Sequence, residues 1–172
     1  MVIENPTFIV IEFSGAIAEW VKGVRDKYEP GISHMPVEVT VAGSSGCGPI
    51  NPGQSLESIV SIAKELLPSL KGKLAKFQKV SNFSGTPIHF LEPERSIFDE
   101  IHGKLIESGI SFEESPFPYN PHISLKGFTP PTKQESEELL NLEVPKDPQP
   151  LHKLSVIEMK GMTPNVLWST GN

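Results

Sequence analysis

A chain of 172 residues with 37% apolar side chains can bury one core, or two small lobes sharing one cleft, and is not poor enough in apolar residues to be disordered. A formal charge of −6 excludes a broad nucleic-acid-coating surface, which needs a basic excess, but leaves room for a pocket around one phosphate. The single cysteine, Cys47, excludes an internal disulfide; with no apolar run near membrane length and no leader pattern, a cytoplasmic protein without a membrane partner is expected.

Thr7 to Phe13, rich in Ile, Val and Phe, reads as a buried strand. Ser14 is placed to cap a helix carrying Ile17, Trp20, Val21, Val24 and Tyr28 on one face, which stops before Pro30. A loop with His34 leads to a strand over Val37 to Ala42. The Gly-rich run Gly43 to Gly48 lacks the Lys-Ser/Thr ending of a P-loop and reads as a mobile connector. Ser55 caps a second helix, with Leu56, Ile59, Ala63 and Leu66 on its apolar face and Pro68 breaking it. Lys71, Lys73, Lys76 and Lys79 form a solvated basic run. Lys76 to Val80 and Thr86 to Leu91 make a hairpin, with His89 a packed histidine. A third helix follows Pro93, with Ile97, Phe98, Ile101 and Leu105 inward, His102 on the surface and Gly109 at its end. Phe112, Phe117 and Tyr119 lead into a second short strand. Thr132 and Glu135 make a capping box ahead of Leu139 and Leu140. Lys153 to Met159 and Asn165 to Ser169 close the chain as a hairpin.

The second short strand is Pro121-His122-Ile123-Ser124-Leu125-Lys126-Gly127. Side chains alternate along a strand, so His122, Ser124 and Lys126 share one face: a proton carrier beside two donors suited to phosphate. Pro36-Val37-Glu38-Val39-Thr40-Val41-Ala42-Gly43 has the same layout. Aligning Thr40 with Ser124 sets Glu38 opposite His122, and each strand ends in Gly.

This pair of Pro-led strands resembles the signature of the two-histidine phosphoesterases, the superfamily of 2'-5' RNA ligase-like (LigT-like) proteins and cyclic nucleotide phosphodiesterases, with the first motif degenerate. The resemblance implies an α+β fold over residues 1–172: two pseudo-symmetric lobes of mainly antiparallel sheet, helices outside, the motif strands lining a central cleft. It also implies metal- and cofactor-free hydrolysis of a 2',3'-cyclic phosphate or 2'-5'-linked nucleotide or RNA end. His122 would act as acid or base, Thr40 and Ser124 as phosphate donors, and Lys126 as an added cation. Glu38 would occupy the other catalytic position, with His34 and Tyr119 as accessory residues.

A carboxylate there repels a phosphodiester by about 1 to 4 kcal/mol at ~4 Å, depending on screening. Lack of a general acid costs a further ~10²- to 10⁴-fold in rate. Burial that keeps Glu38 protonated, a swing of His34 into the cleft, or a different substrate would restore function. Neutralisation by Lys126 would instead give a silent relative that binds a nucleotide or RNA end, or serves as an interaction module.

Overall fold

The computed structural model describes residues 1–170. The chain runs β1 (Thr7–Glu12), α1 (Ala16–Tyr28), a 3₁₀ turn (Pro30–Ile32), β2 (Glu38–Ala42), α2 (Leu56–Glu65), α3 (Leu67–Leu70), β3 (Leu74–Ala75) and β4 (Phe77–Asn82). It continues with β5 (His89–Pro93), α4 (Ser96–Ile106), β6 (Ile123–Lys126), α5 (Lys133–Leu140), β7 (Gln149–Pro150), β8 (Lys153–Lys160) and β9 (Thr163–Ser169).

Two antiparallel sheets organise it, ordered β2-β1-β8-β9 and β4-β5-β6, with β3 and β7 pairing apart. The α+β architecture is as the sequence implies, with β2 and β6 as edge strands that approach each other. The closing hairpin does not stand alone. It inserts β8 beside β1, because Ile9 and Ile11 are buried with no exposed surface on a central strand whose backbone needs ladder partners on both sides.

Caps follow local chemistry. The Thr132 hydroxyl accepts from Glu135 N–H at 3.1 Å while the Glu135 carboxylate accepts from Thr132 N–H at 2.7 Å, closing the expected box. Ser55 accepts from Ser58 N–H at 3.4 Å. Ser14 is not a cap. Gly15 is, at φ 69°, since the strand-to-helix turn passes through a left-handed conformation that glycine adopts without strain. Pro68 opens the short helix α3 as well as ending the longer one.

The duplication goes deeper than the two motifs. Thr40 pairs with Val10 on β1, and Ser124 pairs with Phe90 on β5. Beyond them, Lys153-Leu154-Ser155 on β8 and Lys79-Val80-Ser81 on β4 occupy matching places: Glu12 pairs with Lys153 and Glu92 with Lys79. The Ser155 hydroxyl donates to Glu12, as the Ser81 hydroxyl does to Glu92 at 2.8 Å.

Each helix between paired strands crosses to the opposite lobe. Arg25 of α1 reaches the Ser124 carbonyl on β6, and His102 of α4 donates from Nδ1 to the Val41 carbonyl on β2 at 2.8 Å. His102 is therefore not a surface residue: it is half-buried and stacked on Tyr119 with ring centres 3.9 Å apart. The Gly-rich run is no mobile connector. Gly46 N–H donates to Phe117 O at 2.8 Å and Gly48 N–H to Glu113 O at 2.7 Å. Gly46 sits at φ 75° where a Cβ would collide with the His102 ring.

Candidate active site

The two edge strands frame a cleft of about 240 Å³. Val39, Val41, Ile123 and Leu125 point into the core with no exposed surface, which turns the alternate residues outward. Glu38 and Thr40 from β2 and Ser124 from β6 thus line one space, with Arg25 at its base. The walls are apolar, chiefly Phe8, Val10, Met35, Ile157, Met159 and Phe128.

Glu38 is half-buried and accepts a hydrogen bond from the Thr40 hydroxyl at 3.1 Å. Its cross-strand partner is a second carboxylate, Glu12, itself held by Lys153 at 2.9 Å. Burial pushes the Glu38 pKa up to about 7. The Thr40 hydroxyl and the Arg25 guanidinium pull against that rise, and Glu12 adds to it.

Arg25 is 3% exposed, and its donors go to backbone. Nε and Nη2 donate to Ser124 O at 3.0 and 2.9 Å, and Nη1 donates to Met35 O and Pro36 O at 2.9 and 3.1 Å. The guanidinium ties the entry to β2 to the middle of β6 and is the charge that acts on Glu38. Sequence reasoning missed it, because an Arg on a helix ordinarily reads as a solvated side chain.

His122 lies just before β6, beside Phe83 and Phe90 at centroid distances of 5.4 and 5.3 Å. The Asn120 carbonyl 2.7 Å from Nδ1 can only accept, so the ring proton sits on Nδ1 and Nε2 is left as an acceptor. Every buried side-chain nitrogen and oxygen among the described residues has a partner, so Nε2, which has none, is open to solvent. Burial lowers the His122 pKa, against the raising effect of the Asn120 bond. The imidazole is not among the groups lining the cleft.

Three other expected residues are placed differently. Lys126 is 2% exposed and donates to Thr129 Oγ1 at 2.6 Å, to Tyr28 O at 2.8 Å and to Glu29 at 3.5 Å. It neither faces a phosphate nor neutralises Glu38, because Glu29 draws the ammonium inward. Glu29 also accepts from the N–H groups of Gly127, Phe128 and Thr129. Burial alone would raise the Glu29 pKa, but these backbone donors and the Thr129 hydroxyl bring it down to about 2. His34 is exposed and lies 3.5 Å from the Met162 carbonyl, outside the cleft lining. Tyr119 donates to Thr40 O at 3.3 Å and props the edge of β2 from behind.

No helix among the described residues is long and apolar enough to cross a membrane, and no three His, Cys, Asp or Glu side chains gather there as metal ligands would.

Two strand–helix–strand lobes, each reaching across to the other and with edge strands paired on a cleft, form a fold shared with solved structures of low sequence identity, LigT among them. The structure superimposes on TT0787 of Thermus thermophilus with a TM-score of 0.67 at 16% identity, over 95% of this chain and 96% of that one. It also superimposes on LigT of E. coli complexed with 3'-AMP, with a TM-score of 0.55 at 14% identity over 96% of both chains. A third neighbour, a phosphoesterase, gives 0.54 at 13% identity over 96% of both. No family model and no curated protein matches the sequence.

Proposed function

We propose that the chain is a metal-independent phosphodiesterase that opens a 2',3'-cyclic phosphate or a 2'-5' linkage in a nucleotide or RNA end, with Glu38 standing where an imidazole would stand. The observation that carries this reading is the meeting of Glu38, Thr40 and Ser124 on one cleft. A Glu38 carboxyl that keeps its proton near neutrality carries no charge against the phosphodiester and has a proton to give.

In the reaction, water attacks phosphorus while His122 Nε2 takes one of its protons. The P–O bond to the leaving oxygen breaks as Glu38 delivers its proton to that oxygen. Ser124 donates to one non-bridging oxygen and Thr40 to another, its hydroxyl turning from the protonated Glu38, to which it donates in the free protein, to the phosphate. The product is a phosphomonoester, and proton return from His122 to Glu38 through solvent restores the starting forms. A nucleotide ligand is also consistent with the LigT complexes with 3'-AMP, NADP+ and ATP.

The test is hydrolysis of nucleoside 2',3'-cyclic phosphates by purified protein in the presence of a chelator, with His122→Ala abolishing turnover. The aromatic cradle of His122, set apart from the cleft lining, favours a second reading as a silent nucleotide-binding relative. Nucleotide binding without turnover at high protein concentration would decide for it.

A further inference from the structure

The cleft walls bear on which phosphodiester fits. Around Glu38, Thr40 and Ser124 stand Phe8, Ile32, Met35, Ile157, Met159 and Phe128, and among the described residues no Asn, Gln, His or Lys lines the space to read the edge of a base. Two of these are methionines, whose flexible side chains fill irregular apolar shapes. Phe128 at the mouth is 64% exposed, an aromatic surface that an apolar ligand would cover.

The supply of cation is equally restricted. Arg25 donates to three backbone carbonyls, Lys126 is buried on Glu29, and Lys153 is held by Glu12. A second phosphate would find no cation besides Arg25 among the described lining residues, on a chain of net charge −6. At about 240 Å³ the cleft is below the ~300–1,000 Å³ of drug-sized sites, which sets a small ligand.

We infer that this cleft takes a small, singly charged phosphodiester whose organic part is an apolar alkyl or aryl group, in preference to a polyanionic nucleic-acid strand, an inference that rests on the phosphodiester reading above. A burial-driven wall gives each methylene that enters a gain of about fourfold in transition-state binding.

The experiment is a homologous series of cyclic phosphates of propane-, butane-, hexane- and octane-1,2-diol, beside 2'-5'-linked adenylates of rising length. The expected result is a kcat/KM that climbs about fourfold per methylene until the chamber is full and gains nothing with added phosphates. Phe128→Ala flattens the climb. A flat or falling alkyl series overturns the inference, as does affinity that grows with phosphate number and drops steeply with salt. If no member is turned over, the phosphodiesterase reading fails by itself. The same series is then read as Kd by calorimetry: fourfold tightening per methylene upholds the apolar site, and its absence overturns it.

Discussion

Glu38 carries opposite consequences for stability and activity. Its pKa moves from 4.5 to about 7 on folding, so between those values the folded state holds a proton that the unfolded state has released. Stability falls as pH rises through that window, by about 3 kcal/mol. Glu38→Gln abolishes the slope. We expect it to be more stable than the parent at pH 8 by up to about 3 kcal/mol, read by denaturant titration at pH 5 and pH 8, while kcat/KM falls ~10²- to 10⁴-fold. An unchanged slope would place the proton elsewhere. Activity declines through pH 7 as Glu38 ionises, and on the acid side it declines as His122 gains a proton below the ordinary imidazole value. Glu38→His removes the carboxylate and is expected to raise turnover above pH 7. At this scale the sequence turned Glu38, Thr40 and Ser124 to one side of their strands, since period-two alternation dictates it, and left a buried, proton-holding Glu38 among its options. Lys126 obeys the same alternation yet is turned inward by Glu29, a residue 97 positions away that no local pattern could reveal.

The elements that fix this geometry are the two crossing helices. Arg25 supplies four hydrogen bonds to three carbonyls across the lobe boundary. Arg25→Ala leaves them short of donors at a cost of about 3 kcal/mol or more, and Arg25→Lys recovers little because an ammonium cannot span the same fork. Arg25→Ala also removes the cation that lowers the Glu38 pKa, so the alkaline limb of its activity profile moves upward, which loss of packing alone would not cause, while Arg25→Lys keeps a positive charge and moves that limb less. Glu29 acts with the other sign. Its value drops from 4.5 to about 2, so its stabilisation is complete above pH 4.5 and is lost as pH falls through 2. Glu29→Gln should cost about 3 kcal/mol at pH 7 and flatten the acid arm of the melting-temperature curve between pH 5 and pH 2. Helix faces, both polar caps and the two hairpins were legible because their signals lie within a few residues of each other. The crossing was not, because Arg25 and His102 bind backbone carbonyls, which carry no side-chain signature.

For the whole molecule, the decisive feature is that the first sheet is completed by the last strands. β8 lies between β1 and β9 and buries Leu154 and Val156 with no exposed surface. Sequence order hid this, since antiparallel partners can be any distance apart, although the repeated Lys-x-Ser on β4 and β8 was the available clue. We propose that the two lobes behave as one bilobal domain, because neither closes its core without the other's helix and the N-terminal one also needs the C-terminal hairpin. Deleting residues 152–172 would expose β1 as an open edge beside an uncovered apolar face. The truncated chain is therefore expected to lose cooperative unfolding and near-ultraviolet dichroism in both lobes, with rapid proteolysis throughout. The intact chain should unfold in one calorimetric transition whose van't Hoff and calorimetric enthalpies agree. Two resolved transitions, or a truncated form in which β4, β5 and β6 keep their amide protection, would mean that the lobes fold independently. The cleft would then be a junction between separate units, its opening free to vary with ligand.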